Sequence, residues 1–137
     1  MATMIRPKLS VKNPYWIDKH RYYELKHFCL QYPAWKRAYA DYNAPGVSSI
    51  NRSPSTNDYS DPTANRAILK AYYSDRIELI ERVARDTDRE LHNYILQAVT
   101  QELSYTYLKS RLNIPCGRDM YYDRYRRFFW LLSEARN

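Results

Sequence analysis

Arginine and tyrosine side chains alternate along the last predicted helix of the chain, which follows Gly117. Arg118, Tyr122 and Arg126 fall at i, i+4 and i+8, so they share one face of an α-helix. An arginine near the start of a helix can donate two hydrogen bonds to guanine O6 and N7. A tyrosine can pack on a thymine methyl group or bond a phosphate. The spacing therefore predicts a face that reads base edges in duplex DNA.

A second set of cations is suited to the DNA backbone. Lys109, Arg111, Arg124 and Arg127 could neutralise phosphates. The backbone amides at the start of the preceding helix could bind a further phosphate, because such amides have no partner within the helix. The predicted DNA-contacting residues are therefore Arg118, Tyr122, Arg126, Arg124, Arg127, Lys109, Arg111, Ser104 and Tyr105.

Residues 104–117, which precede the last helix, predict how that helix is positioned. Ser104 is a typical capping residue for a short helix, Asn113 suits a turn, and Ile114 should pack back into the core. Pro115 ends helical continuity, and Gly117 should free the backbone before the next helix. These signals predict a helix-turn-helix, in which one helix crosses the DNA backbone and the next enters the major groove.

The face of the last helix opposite the cations is apolar. Its members recur with helical spacing and should pack against the two preceding helices: Tyr121, Tyr125, Phe128 and Leu132. The alternative interpretation of the arginines is a solvated C-terminal helix, in which cations favour the negative end of the helix dipole.

The rest of the chain also predicts helices. A capping residue followed by proline occurs at residues 13–14 and again at 61–62, which predicts helices over 14–30 and 62–85. A short helix is expected over 33–42, forming a helical hairpin or a bent helix with the first. Another is expected from Thr87 or Asp88 to about Glu102.

The apolar faces of these helices are predicted from their periodicity. The first helix should bury Ile17, Tyr22, Leu25, Phe28 and Cys29, and the second Trp35, Ala38 and Tyr39. The long helix carries a stripe of Leu69, Tyr73, Ile77, Ile80 and Ala84, widened by Tyr72 and Val83. That stripe fits a core helix or a dimerisation helix.

We therefore expect an all-α fold, a small helical domain of about five helices with a C-terminal helix-turn-helix. Only 2 glycines argue against a β-rich fold with many tight turns. The expected organisation is a basic N-terminal arm and helical hairpin over 1–44, a linker over 45–61, and the long helix plus a three-helix unit over 62–137. Residues 43–61 are rich in serine, asparagine and proline and show no periodicity.

The net charge of +7 at pH 7 is unevenly distributed along the chain. Residues 1–44 carry eight lysines and arginines against three acidic residues, 45–108 carry seven against nine, and 109–137 carry seven against three. Two basic ends therefore flank an acidic middle. Basic segments with interleaved aromatic rings are typical of proteins that bind a polyanion, which favours double-stranded DNA as the partner.

Several classes of function are disfavoured. The chain shows no nucleophile–base pair and no glycine-rich phosphate loop, so we do not expect an enzyme. Cys29, Cys116 and the three histidines have no metal-ligand spacing, so no metal or cofactor is expected. No apolar run approaches the ~20 residues needed to span a bilayer, and the N-terminus does not read as a signal peptide. The expected location is cytoplasmic, with no membrane partner.

The stretch from Ile114 to Ser133 resembles the end of the ArpU/RinA-type transcriptional regulators of prophages. Their C-terminal helix-turn-helix is similar to region 4 of sigma factors and has the form I-P-x-S-R-x-T-x-Y-x-x-Y-R-R. The resemblance implies base-reading roles for Arg118 and Tyr122, and backbone roles for Arg126 and Arg127. Gly117 replaces the serine that is frequent in the family, and Asp119 adds a negative charge.

Two other functions remain open from the sequence. The first is a small phage protein that binds a host protein, such as a nuclease or RNA polymerase, through exposed tyrosines. The second is a DNA-packaging subunit that assembles into a ring. A homodimer formed through the long helix is compatible with each of these functions.

Overall fold

The computed structural model describes residues 14–43 and 62–137, and most of these residues are helical. Six helices lie in these two ranges, namely α1 (Lys19–Leu30), α2 (Tyr32–Asn43), α3 (Pro62–Thr87), α4 (His92–Gln101), α5 (Tyr105–Arg111) and α6 (Arg118–Ala135). These ranges contain no strand. The prediction of an all-α fold is confirmed.

Some predictions fall elsewhere in the chain. The basic arm over residues 1–12 and the linker over 45–61 lie outside the described residues. The same holds for Asn13 and Asp61, the predicted capping residues of the first and third helices.

The first helix begins later than its proline signal predicts. Residues 14–18 are not helical, and α1 starts at Lys19 because the side chain of Asp18 accepts a hydrogen bond from the N–H of His20 at 2.9 Å. Asp18 is therefore the cap, and the predicted start at Pro14 is wrong. The predicted apolar face of α1 is confirmed, since Tyr22, Leu25, Phe28 and Cys29 are all buried.

A single residue, Gln31, separates α1 from α2. Its backbone is itself right-handed helical, and its C=O accepts from the N–H of Trp35 at 3.0 Å. The rings of Phe28 and Trp35 meet edge to face with centroids 4.9 Å apart. This near-continuous hydrogen bonding favours the bent helix over the hairpin.

The long helix α3 buries only its C-terminal half. Ile77, Ile80, Val83 and Ala84 lie in the core, as predicted. Leu69 is 40% exposed and Tyr72 43% exposed, so this end of the stripe does not enter the core of the chain. Leu69 and Tyr72 lie nearer the start of α3 than the buried positions, which begin at Ile77. The apolar stripe of α3 is therefore longer than the part of the helix that packs in the core.

Helix α6 is central to the packing. It lies against α1, α3 and α4, while α2 packs mainly on α3. The predicted burial of Tyr121, Phe128 and Leu132 is confirmed, and Phe129 is buried as well. Fully burying a side chain of this size contributes roughly 1.5–3 kcal/mol. The helix predicted to contact DNA is therefore also a main support of the core.

Candidate nucleic-acid interface

The start of α5 folds as its sequence predicts. The Ser104 side chain accepts a hydrogen bond from the N–H of Tyr107 at 3.1 Å, so the predicted serine cap is confirmed. The Ser104 hydroxyl therefore has an internal partner. With only seven residues, α5 has a weak dipole, and the contribution of the Ser104 and Tyr105 amides to phosphate binding stays a prediction.

Residues 112–117 connect α5 to α6 through a tight turn. Asn113 takes the left-handed conformation with φ 54°, which asparagine tolerates better than most residues. The turn lets the N–H of Ile114 donate to the C=O of Leu108 at 3.1 Å, and Ile114 is fully buried. Gly117 has φ −81°, which any residue adopts, so the predicted need for glycine there is wrong.

Two side chains brace this connection from α5. The Tyr105 hydroxyl donates to the C=O of Cys116 at 2.7 Å, and the Tyr105 ring is buried. The Lys109 ammonium donates to the C=O of Ile114 at 3.3 Å while remaining exposed. The Tyr105 hydroxyl therefore holds the turn and is not free to bond a phosphate, whereas Lys109 can still face one.

Arg118 is the exposed cation on the first turn of α6. Its guanidinium lies 5.0 Å from the ring centroid of Tyr105 and 6.0 Å from that of Tyr122, within the range of a cation–π interaction. Its Nη1 also donates a long hydrogen bond of 3.4 Å to the Tyr122 hydroxyl. The structure thus brings Arg118 and Tyr122 together, with Arg118 in solvent and Tyr122 half-buried.

The predicted face of Arg118, Tyr122 and Arg126 is only partly in solvent. Arg126 is half-buried, and its Nε is buried with no hydrogen-bond partner in the described residues. The predicted face therefore lies in solvent at Arg118 and is half-buried at Tyr122 and Arg126.

Arg124 is committed to the fold. Its Nε donates to Asp88 Oδ2 at 2.8 Å, and its Nη1 pairs with Asp123. These partners raise the pKa of Arg124 above its ordinary value. To bind a phosphate, Arg124 would have to give up its hydrogen bond to Asp88. Arg124 is therefore not a free cation on the predicted DNA-binding surface.

The remaining predicted contacts lie on two helices. Arg111 is exposed at the end of α5, and Arg127 is half-buried on α6. Sequence reasoning missed Met120, which is 44% exposed in the first turn of α6. Its place in the first turn of the helix was the available signal, since a thioether there could pack on a thymine methyl group.

We also looked for metal-binding groups, reactive thiols and membrane-spanning helices among the described residues. Residues 14–43 and 62–137 hold no group of three metal-ligating side chains, and Cys29 and Cys116 are both free. Burial raises the pKa of each of these thiols, which disfavours the reactive thiolate. None of the helices in these two ranges is long and apolar enough to cross a membrane.

Known proteins give no further guidance about this arrangement. No protein-family model, no curated protein and no solved structure matches the chain. The resemblance of residues 114–133 to the ArpU/RinA-type regulators therefore stays a prediction.

Proposed function

We propose that this chain is a DNA-binding regulator of the phage or prophage type, working in the cytoplasm without catalysis. The observation that carries the proposal is the exposed guanidinium of Arg118, held over two tyrosine rings at the N-terminal turn of α6. An arginine at this position of a helix, fixed in orientation by stacking, suits bidentate recognition of guanine.

The proposed base contact involves fewer residues than the sequence predicts. Residues 118–120 are all exposed, whereas residues 121–133 are all buried or half-buried. Base reading is therefore assigned to Arg118, with Tyr122 orienting its guanidinium. Lys109 and Arg111, both exposed on α5, supply phosphate contacts close to this turn.

Binding to a selected duplex tests the proposal. Duplexes are first selected from a random pool, and affinity is then measured by fluorescence anisotropy. We expect Arg118→Ala to weaken binding of the selected duplex by about 5- to 150-fold, because one bidentate contact is worth roughly 1–3 kcal/mol. The matched control is Arg37→Ala, which removes an exposed arginine from α2 and should leave this affinity within about twofold.

The salt dependence separates base contacts from phosphate contacts. Lys109→Ala and Arg111→Ala should each reduce the slope of log K against log salt by about 0.9, while Arg118→Ala should chiefly relax preference at one guanine. Equal loss for Arg37→Ala and Arg118→Ala would indicate a diffuse charge effect. Full affinity in Arg118→Ala would remove the groove assignment.

A second candidate, protein binding through α3, is favoured by the exposed apolar residues of its N-terminal half. Ile68 is 65% exposed, and Leu69 and Tyr72 lie beside it on the same helix. The proposed partner is a second copy of the chain, as in dimeric regulators that bind paired half-sites. Light scattering should give a dimer mass for the native chain and a monomer mass for Leu69→Arg. A monomer mass for both would favour a host protein or no partner at this surface.

A further inference from the structure

A pocket with an unusual lining lies where α1 meets α4, α5 and α6. Its volume is about 270 Å³. Six tyrosines line it, and we refer to it as the tyrosine pocket: Tyr22, Tyr23, Tyr105, Tyr121, Tyr122 and Tyr125. Phenol rings from three helices thus face one small space, although they are far apart in the sequence.

The hydroxyl groups of these tyrosines differ in whether they have partners. Tyr22 and Tyr125 bond each other at 2.7 Å between their hydroxyl oxygens, and Tyr105 donates to a backbone carbonyl. Tyr121 is only 1% exposed, and its hydroxyl has no hydrogen-bond partner in the described residues. A buried hydroxyl without a partner is uncommon in folded proteins. Tyr121 therefore lines the tyrosine pocket with a buried hydroxyl that has no partner among the described residues.

The charges at the pocket balance each other. Lys26 Nζ lies 2.9 Å from Glu102 Oε1, and both side chains line the pocket. Because Lys26 and Glu102 neutralise each other, this pair offers no unpaired charge to an anion or a cation. The remaining lining is largely aromatic and aliphatic, including Val99 and Leu103.

We propose that the tyrosine pocket binds a small, planar, uncharged heterocycle of one or two rings. The rings of the ligand stack on the phenol rings, since aromatic pairs favour offset or edge-to-face contact. A nitrogen or oxygen of the ligand pairs with the Tyr121 hydroxyl. The volume lies just below the roughly 300–1,000 Å³ of pockets for drug-sized ligands, which limits the ligand to about two rings. This site does not depend on the proposed DNA binding.

Calorimetric titration tests the pocket with defined probes. Adenine is the planar, hydrogen-bonding probe, and cyclohexanol is the non-planar probe with a hydroxyl group. We expect adenine to bind the native chain with a Kd of about 0.1–1 mM, typical of a ligand of this size, and cyclohexanol to bind at least tenfold more weakly. Absence of adenine binding at this strength, or equal affinity for cyclohexanol, would overturn the proposal.

The Tyr121→Phe variant separates binding from folding. It removes only the hydroxyl, so adenine affinity should fall about fivefold to tenfold while the midpoint of thermal unfolding rises. Tyr107→Phe is the matched control, because Tyr107 is 45% exposed on α5 and does not line the pocket. It should leave adenine affinity unchanged. Unchanged affinity in Tyr121→Phe would show that this hydroxyl does not hold the ligand.

Location is checked by NMR with ¹³C-labelled tyrosine rings. Adenine should shift ring signals of the tyrosines that line the pocket and leave those of Tyr39 and Tyr107 in place. Shifts confined to tyrosines outside the pocket would place the adenine elsewhere and reject the assignment.

Discussion

The guanidinium of Arg124 joins α6 to the turn that precedes α4 through a 2.8 Å hydrogen bond to Asp88. The other carboxylate oxygen of Asp88 accepts from the N–H groups of Glu90 and Leu91 at 2.8 and 2.9 Å. The Asp88 carboxylate thus accepts hydrogen bonds in the turn before α4 and also orients Arg124 of α6, 36 residues away. The pair therefore serves the fold.

Replacement of Arg124 by alanine should therefore destabilise the chain. The loss removes a charge-assisted hydrogen bond from a carboxylate whose side chain is only 13% exposed, so we expect about 2 kcal/mol less free energy of unfolding. Urea denaturation at pH 7 measures it. Arg85→Ala, at an exposed position of α3, is the control and should change stability by about 0.5 kcal/mol or less. A similar small loss for Arg124→Ala would contradict the structural role.

The same carboxylate predicts a loss of stability in acid. Burial alone would raise the pKa of Asp88, but the hydrogen bonds from Arg124, Leu91 and Glu90 outweigh it and lower the pKa below its ordinary 3.8. A lowered pKa in the folded state stabilises the fold above the unfolded-state value, and this contribution disappears as pH falls through the folded-state pKa.

Comparison with Asp88→Asn isolates this contribution. The native chain should be the more stable of the two at pH 7, and the difference should shrink at pH values below about 4. Urea denaturation from pH 7 to pH 2 measures both curves. A difference that stays constant across this range would exclude ionised Asp88 as its source.

Two tyrosines of the pocket should respond to loss of a hydroxyl with opposite signs. Tyr121→Phe removes a buried hydroxyl that has no partner, so it should stabilise the chain by about 1 kcal/mol. Tyr22→Phe leaves the hydroxyl of Tyr125 without its partner, so it should destabilise the chain by about 1–2 kcal/mol. Thermal unfolding of both variants in the absence of ligand provides the comparison. The same sign for the two would refute the hydrogen-bond assignments.

The left-handed residue between α5 and α6 should be sensitive to side-chain shape. Asn113→Gly should be close to neutral, because glycine adopts φ near +54° without steric cost. Asn113→Val should lower stability by about 1–2 kcal/mol, because its β-branched side chain opposes that conformation. Chemical denaturation of both variants checks this expectation. Equal stability for glycine and valine would mean that the turn rearranges.

Local signals in the sequence predicted much of the fold. Ser104, Asn113 and Ile114 take their predicted places because their roles depend on neighbours within a few residues. The start of α1 was misplaced because Asn13 and Asp18 are both good capping residues, and only packing selects between them. The exposure of Leu69 could not be predicted, because periodicity does not reveal where the covering surface ends.

The candidate site was harder to predict than the fold. The position of Arg118 at the start of α6 followed from sequence, but the stacking partner Tyr105 lies 13 positions away across a turn. In the sequence Arg124 is indistinguishable from Arg126 and Arg127 as a phosphate contact, and only the fold pairs it with Asp88. The tyrosine pocket was missed altogether, because Tyr22 and Tyr121 meet only through tertiary packing.

Because α6 supports the core along most of its length, few of its positions can vary without altering the fold. Substitutions at Tyr121 or Phe128 alter the scaffold itself. Under the proposed function, variation in the target would therefore fall on the exposed residues 118–120 and on the exposed side of α5. Relatives with altered targets should differ at these few positions while retaining the aromatic interior.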